Sequence, residues 1–345
     1  MLGWKKSTSR TGDGAVPFPD LRVPGCNELF IDPAWWRVIA DTYDLRVDVQ
    51  WTESVAGVIS SALPTVDIDD PSGPRTVSLP FCDFVDAPMQ AGDWPVFADS
   101  LLDSGRRIVL DTTADHPATT DPRFTSIVDG VDYVVTVDQP PSELATGFSQ
   151  LARRQIRRAE REGIRYRMAT DFDSLRAYFE LHLGVRRHRH GMLAQPFSMF
   201  ESIHEQFIER GRGGVIVGEL GGEVVGGCLL LVTDSSVHYK FSASAPEQRS
   251  NGVSHGAVFA ALQYTWEMGL PTFDFGRSDL AHTGLVDFKR RYRPTERLLA
   301  CHVAGPDSNP EFLDRLHRLT ELYVDPTMPN SLTEFAGNHL YRYFA

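Results

Sequence analysis

The chain has 345 residues, 42% hydrophobic and 23% charged, which suffices for two domains with real cores and excludes a membrane-embedded composition. Its net charge of −12 is uneven: residues 1–150 hold 10 Lys and Arg against 23 Asp and Glu, and residues 151–345 hold 24 against 23. The acidic first part excludes general affinity for DNA, and in the second part only local patches offer a polyanion a landing place.

The N-terminal MLGWKKSTSRTGDG carries basic residues with no apolar segment behind them, so residues 1–20 are expected as a disordered tail without a signal peptide. No apolar run approaches the ~20 residues of a membrane helix. Cys26, Cys82, Cys228 and Cys301 lie far apart without CxxC spacing. Reduced, mostly buried thiols in a cytoplasmic protein are expected, with neither zinc nor disulfides.

Residues 21–150 read as mixed strands and helices. DPAWWRVIADTY predicts a helix with Asp32 as N-cap and Pro33 at its first position. In VSLPFCDFV, Pro80 argues against a central strand. The β-branched runs 107–112 and 133–137 suit buried strands. Pro140-Pro141 closes this part, placing a domain boundary near Gln150.

LARRQIRRAEREG (151–163) predicts a basic helix ended by Gly163, either a solvated face paired with Glu160 and Glu162 or a phosphate-facing patch. A helix over 174–184 precedes a second basic cluster at 186–190, where no nearby Asp, Glu or Cys completes a metal site for His188 and His190. Next come a hairpin turning at Gly221-Gly222, a strand VHYKFSA and an amphipathic helix from Val253. TFDFGRSDLAHTGLVDFKRRYR begins as a strand broken at Gly276 and goes on to Phe288-Lys289. It gathers a carboxylate, a guanidinium, a hydroxyl and an ammonium at a strand end, a mixture suited to carbonyl transfer. A strand over 298–303 and a helix over 310–323 complete the chain.

This order matches an α+β domain of the GNAT type; the family resemblance described below implies two such domains in tandem, each a mostly antiparallel mixed sheet flanked by helices. That resemblance implies a first domain over 21–150 (acceptor side) and a second over 151–345 (donor side, catalytic). Arg249-x-x-Gly252-x-Ser254 resembles the loop with which GNAT acyltransferases hold the coenzyme A pyrophosphate at a helix N-terminus, with Ser254 where Gly or Ala is usual. An ordinary loop capping the next helix through Asn251 or Ser250 fits as well.

Three marks in order, the R-x-x-I-R-x-A helix from Arg153, the D-F-G-R-S strand from Asp274 and G-x-x-x-F-K from Gly284, resemble the Fem family of tandem-GNAT aminoacyltransferases that build peptidoglycan cross-bridges. The resemblance implies that Lys289 stabilises the transition state or donor ester and that Phe288 lines the channel where donor and acceptor meet. Asp274 and Arg277 fall on the D-F-G-R-S motif, as catalytic groups or as a structural cap and pair. Asp83, on a loop resembling one in the family's first domain, and Tyr239 fall to the acceptor side. Two features depart from the family: Arg290-Arg291-Tyr292 stands where a W-G pair is usual, and too few residues separate Ala169 from Glu219 for the two-helix arm of some members.

The implied activity is amide formation on a cell-envelope, polysaccharide or secondary-metabolite amine. The donor is aminoacyl-tRNA or acyl-coenzyme A, with no tightly bound cofactor, no metal and at most peripheral membrane contact. A GNAT N-acyltransferase using acyl-coenzyme A, or a degenerate pair that binds glycan or RNA, are the competing readings.

Overall fold

The computed structural model describes residues 3–8, 20–21, 28–53 and 58–345. In chain order the first elements are β1 (Gly3–Thr8), α1 (Glu28–Ile31), α2 (Pro33–Tyr43), β2 (Val47–Glu53), β3 (Ile59–Ile68), β4 (Arg75–Ser78), α3 (Trp94–Leu102), β5 (Arg107–Thr113) and β6 (Thr125–Thr136). They are followed by α4 (Pro141–Gly147), α5 (Gln150–Arg161), β7 (Arg165–Ala169), α6 (Phe172–His190), α7 (Phe197–Gln206), β8 (Gly213–Leu220), β9 (Glu223–Val232) and β10 (Ser236–Ser244). The chain closes with α8 (Val253–Glu267), β11 (Thr272–Asp279), α9 (Thr283–Arg290), β12 (Thr295–Ala304), α10 (Pro310–Val324) and α11 (Asn330–Leu340).

Two compact units result. Unit 1 comprises Met1–Val131, Arg297–His317 and Arg342–Ala345; unit 2 comprises Asp132–Glu296 and Arg318–Tyr341. The single cut expected near Gln150 differs from this division, because the chain returns to unit 1 through β12.

Unit 1 carries the strand order β1–β2–β3–β4–β5–β12, antiparallel except for the β4–β5 pair. Gly3–Thr8, assigned by the sequence to a disordered tail, pairs along β2 because an open strand edge offers its backbone partners. Asp32 caps α2 as expected, accepting the Ala34 N–H at 2.7 Å. β4 stops at Ser78, short of Pro80, in keeping with the missing proline N–H. Trp94, Phe97 and Leu101 of α3 bury one face against Ile108 and Leu110 of β5.

Unit 2 carries the order β6–β11–β10–β9–β8–β7, with β7 to β10 antiparallel and β10–β11 parallel. Helices α6 and α8 pack against β8, β9 and β10, and α5 packs on α8. This is the expected mostly antiparallel sheet flanked by helices. Three local expectations are corrected. α6 runs through Gly184 to His190, since an interior glycine costs only about 1 kcal/mol and Leu183, Val185 and Arg187 are buried along it. The second basic cluster is therefore the end of that helix, and its Arg187 is structural, bonded to Asn330 Oδ1 (2.8 Å) and to the carbonyls of Asp325 (2.6 Å) and Met328. β11 continues through Gly276 to Asp279. Of the cysteines, Cys228 is buried, Cys82 and Cys301 are half-buried, and Cys26 lies outside the described residues.

Four imidazoles, three buried and His116 half-buried, bear on acid stability. Burial lowers His116 to about 3, helped by the charge of His302, and lowers His182 to about 3. It lowers His255 and His302 to about 4. An unfolded histidine takes its proton near pH 6.5, so between pH 6.5 and 4 the unfolded chain binds more protons than the folded one. Stability is thus complete above pH 6.5 and falls as pH drops, by about 2 kcal/mol or more between pH 7 and 5. Thermal melts across that range check it; a melting point unchanged down to pH 5 contradicts it.

Candidate active site

The site forms where β10 and β11 stop pairing. Their parallel ladder runs from Ser236↔Thr272 to His238↔Asp274 and ends there, although both strands continue. β10 bulges against β9 between Tyr239 and Phe241, which turns the rest of the strand away from a flat ladder.

At the last rung, His238 Nδ1 lies 3.2 Å from Asp274 Oδ2, both side chains buried. Asp274 Oδ1 accepts the Gly276 N–H at 2.6 Å, and Asp132 of β6 also bonds this carboxyl. Burial alone raises the Asp274 pKa, but the bond to His238 and its charge, then Gly276 N–H and Asp132, outweigh it and hold the carboxyl below the usual range. Asp274 therefore caps the turn it precedes. Arg277 Nε lies 3.1 Å from Asp279 Oδ1.

Gly276 adopts φ +68°, a left-handed conformation that glycine takes without a Cβ penalty. Its carbonyl and that of Arg277 accept Lys289 Nζ at 2.7 and 2.8 Å. Lys289 is 3% exposed, and its ammonium lies 5.6 Å from the centre of the Tyr133 ring. The short α9 supplies it: Val286 and Lys289, one turn apart, form the buried face of the helix. A buried ammonium keeps its charge only if paired or well hydrogen-bonded, and these carbonyls do that. In so low-dielectric a place its field on a nearby carbonyl is strong.

Phe288 points elsewhere. Its half-buried ring contacts His255 (4.9 Å between centroids) and Tyr292 (5.7 Å), and Tyr292 in turn contacts Phe275 at 5.3 Å. Tyr239, half-buried on β10, packs on Phe273 and Phe275 at 6.0 and 5.5 Å. Tyr292 Oη and His255 Nδ1 are 2.6 Å apart. Burial raises both tyrosines well above their ordinary range and, with Arg291, lowers His255, so this cluster is uncharged at neutral pH.

In the Arg249–Ser254 loop, Asn251 and Gly252 are taken up by protein contacts. Gly252, φ +81°, is the N-cap of α8 without side-chain help, so neither Asn251 nor Ser250 caps the helix. A Cβ on Gly252 would lie 2.2 Å from the Gln155 carbonyl of α5, which accounts for the glycine by helix packing. Asn251 donates to Gln248 Oε1 (2.7 Å) and accepts from Arg158 (3.2 Å). Ser254 is half-buried in the first turn of α8, and the Arg249 side chain lies outside what is described. Asp83, half-buried, belongs to unit 1 in the turn after β4.

Helix α5 divides as its pattern predicts: Ala152, Ile156 and Ala159 are buried, while the arginines face out. Arg158 pairs with Glu162 at 3.3 Å, as the solvated-face reading expects. Arg153, Arg154, Arg157 and Arg161, however, line a cavity of about 690 Å³ floored by Ile156 and Phe259. Lys289 does not line it. The sequence reading missed His238, Asp132, His255 and Tyr292; only the alternation in VHYKFSA hinted at a buried histidine.

Residues 148–290 match the family described as acetyltransferase (GNAT) domain. No curated protein matches the chain in sequence. Among solved structures, FemX shares the fold with a TM-score of 0.62 and 16% identity, over 82% of this chain and 93% of that one. L-PGS from Bacillus licheniformis has a TM-score of 0.55 at 16% identity over 83% and 92%. The C-terminal domain of a putative lysylphosphatidylglycerol synthetase from Agrobacterium fabrum has 0.53 at 12% identity over 83% and 90%. Residues 148–290 are thus similar to a GNAT acetyltransferase domain, and the chain shares its fold with FemX and the two synthetase structures.

Proposed function

We propose that the chain is an acyltransferase that forms an amide bond, passing an aminoacyl or acyl group to an amine of a cell-envelope (peptidoglycan-precursor-like), polysaccharide or secondary-metabolite acceptor. The observation that carries this is the buried Lys289 ammonium, fixed by the Gly276 and Arg277 carbonyls where β10 and β11 separate. The acceptor nitrogen attacks the carbonyl carbon, a C–N bond forms, and the C–O bond of a tRNA ester or C–S bond of a thioester breaks. The amine's proton leaves with that oxygen or sulfur. Lys289 offsets the negative charge that builds on the carbonyl oxygen, while Asp274 acts by holding the Gly276 turn.

Two donors fit different observations. The arginine-lined cavity of α4, α5 and α8 suits the phosphates of an aminoacyl-tRNA. The GNAT-domain match favours acyl-coenzyme A, although the glycine of the presumed pyrophosphate loop is already accounted for by α5. Among the described residues no helix is long and apolar enough to cross a membrane. A cytoplasmic site of action, with no DNA partner and no tightly bound cofactor, completes the reading.

The test is amide formation followed by mass spectrometry, with a muramyl-pentapeptide precursor as acceptor and acetyl-coenzyme A or alanyl- and seryl-tRNA as donors. Product that RNase abolishes identifies the tRNA donor, and product that survives identifies the thioester. Absence of amide product together with no thermal protection by either donor overturns the reading.

A further inference from the structure

Two hydroxyls near Lys289 have no hydrogen-bond partner among the described residues. Ser278 Oγ and Tyr133 Oη are buried, on residues 2% and 0% exposed, and neither finds a donor or acceptor there. Ser278 directly follows the Arg277 carbonyl that holds the ammonium, so covalent geometry alone keeps its Oγ within roughly 8 Å of Nζ. The Tyr133 ring stands 5.6 Å from the same Nζ. Burying a hydroxyl without a partner is destabilising, and replacing it by an apolar group of like shape is neutral or stabilising. Two such hydroxyls on neighbouring strands around one buried cation are poor packing for a purely structural spot. They suit a place that receives an oxygen from outside.

We propose that Ser278, assisted by Tyr133, donates its O–H to the carbonyl oxygen of the acyl group being transferred. The oxygen then lies between a hydroxyl donor and the Lys289 charge. The ligand class is an acyl carbonyl, carried either by a thioester or by the 3′ end of an RNA. This rests on the acyltransfer reading and adds to it a group that recognises the carbonyl in the ground state as well as in the transition state. Arg277, between Gly276 and Ser278, places its Nε 3.1 Å from Asp279 Oδ1.

The experiment compares binding of paired probes by wild type, Ser278→Ala, Tyr133→Phe and Lys289→Met. One pair is acetyl-coenzyme A and coenzyme A. The other is an RNA microhelix bearing an amide-linked alanyl group at its 3′ end and the same RNA bare. Wild type is expected to favour the acylated member of one pair by about 5- to 10-fold, the scale of one or two neutral hydrogen bonds. Which pair shows it identifies the carrier. Ser278→Ala should bring the ratio to within about twofold with a melting temperature equal to or above that of wild type, and Tyr133→Phe should move both in the same direction.

A Ser278→Ala protein that keeps the full preference overturns the inference. So does one that melts several degrees lower, because the hydroxyl then has a partner inside the fold, such as an internal water. If Lys289→Met loses the preference while Ser278→Ala keeps it, this inference alone fails. If wild type prefers neither acylated probe, the acyltransfer reading fails with it.

Discussion

Lys289→Met is expected to lower turnover by about 100-fold or more, the scale of losing an oxyanion donor, while the protein stays folded. Methionine reproduces the length and most of the volume of the lysine stem, so the buried face that residue 289 shares with Val286 on α9 survives. Removing the ammonium leaves the carbonyls of Gly276 and Arg277 without that donor, at a cost of about 1–3 kcal/mol. Relief from burying a charge offsets part of this. Negative charge gathers on the carbonyl oxygen mainly in the transition state, so kcat should fall far more than KM rises. Lys289→Arg is not expected to rescue turnover, since a planar fork cannot reproduce one compact ammonium held by two carbonyls. Steady-state kinetics with a melting curve on each variant decide the matter. Turnover within a few-fold of wild type would remove Lys289 from the chemistry.

Asp274→Ala should be the most damaging change to stability, by about 3–5 kcal/mol in urea unfolding, because it removes a buried, hydrogen-bonded carboxylate and strands its partners. His238 Nδ1, the Gly276 N–H and Asp132 all lose their shared partner at once. Asp274→Asn, which keeps the shape and an acceptor for Gly276, should cost less. The same carboxyl contributes to acid stability. Its folded pKa lies below 3.8, so the contribution is complete above about pH 4 and is lost as the pH falls further. Activity should drop as well, since Gly276 is held at its N–H by Asp274 and at its carbonyl by Lys289. A loss below about 1 kcal/mol would mean that the histidine and the turn are held by other contacts.

The setting of Lys289, the group proposed to act, was readable in one dimension because that side chain is local to its holder. Lys289 and the carbonyls that fix it are separated by one turn and one short helix, and the strand–turn–helix pattern of 272–290 encodes that geometry through apolar alternation, a glycine and an i,i+3 face. The basic stripe of α5 was equally legible, since helical spacing alone separates Ala152, Ile156 and Ala159 from the arginines. The strand at Gly3–Thr8 and the passage of α6 through Gly184 were not, because each depends on neighbours that override local preference.

The sequence by itself determined the class of fold and most of the order of helices and strands, since periodicity and short-range spacing are properties of neighbouring residues, whereas Lys289 was singled out by the resemblance of its F-K motif. Only the tertiary structure decided what stands by that ammonium and by the Gly276 turn that holds it. Tyr133, His238, Asp132 and Asp274 come from three strands brought side by side by sheet order, and the sequence carries no local mark of which strands will be adjacent. It likewise decided that Gly252 serves helix packing, because a close approach of two backbones distant in sequence is set by how α5 and α8 dock.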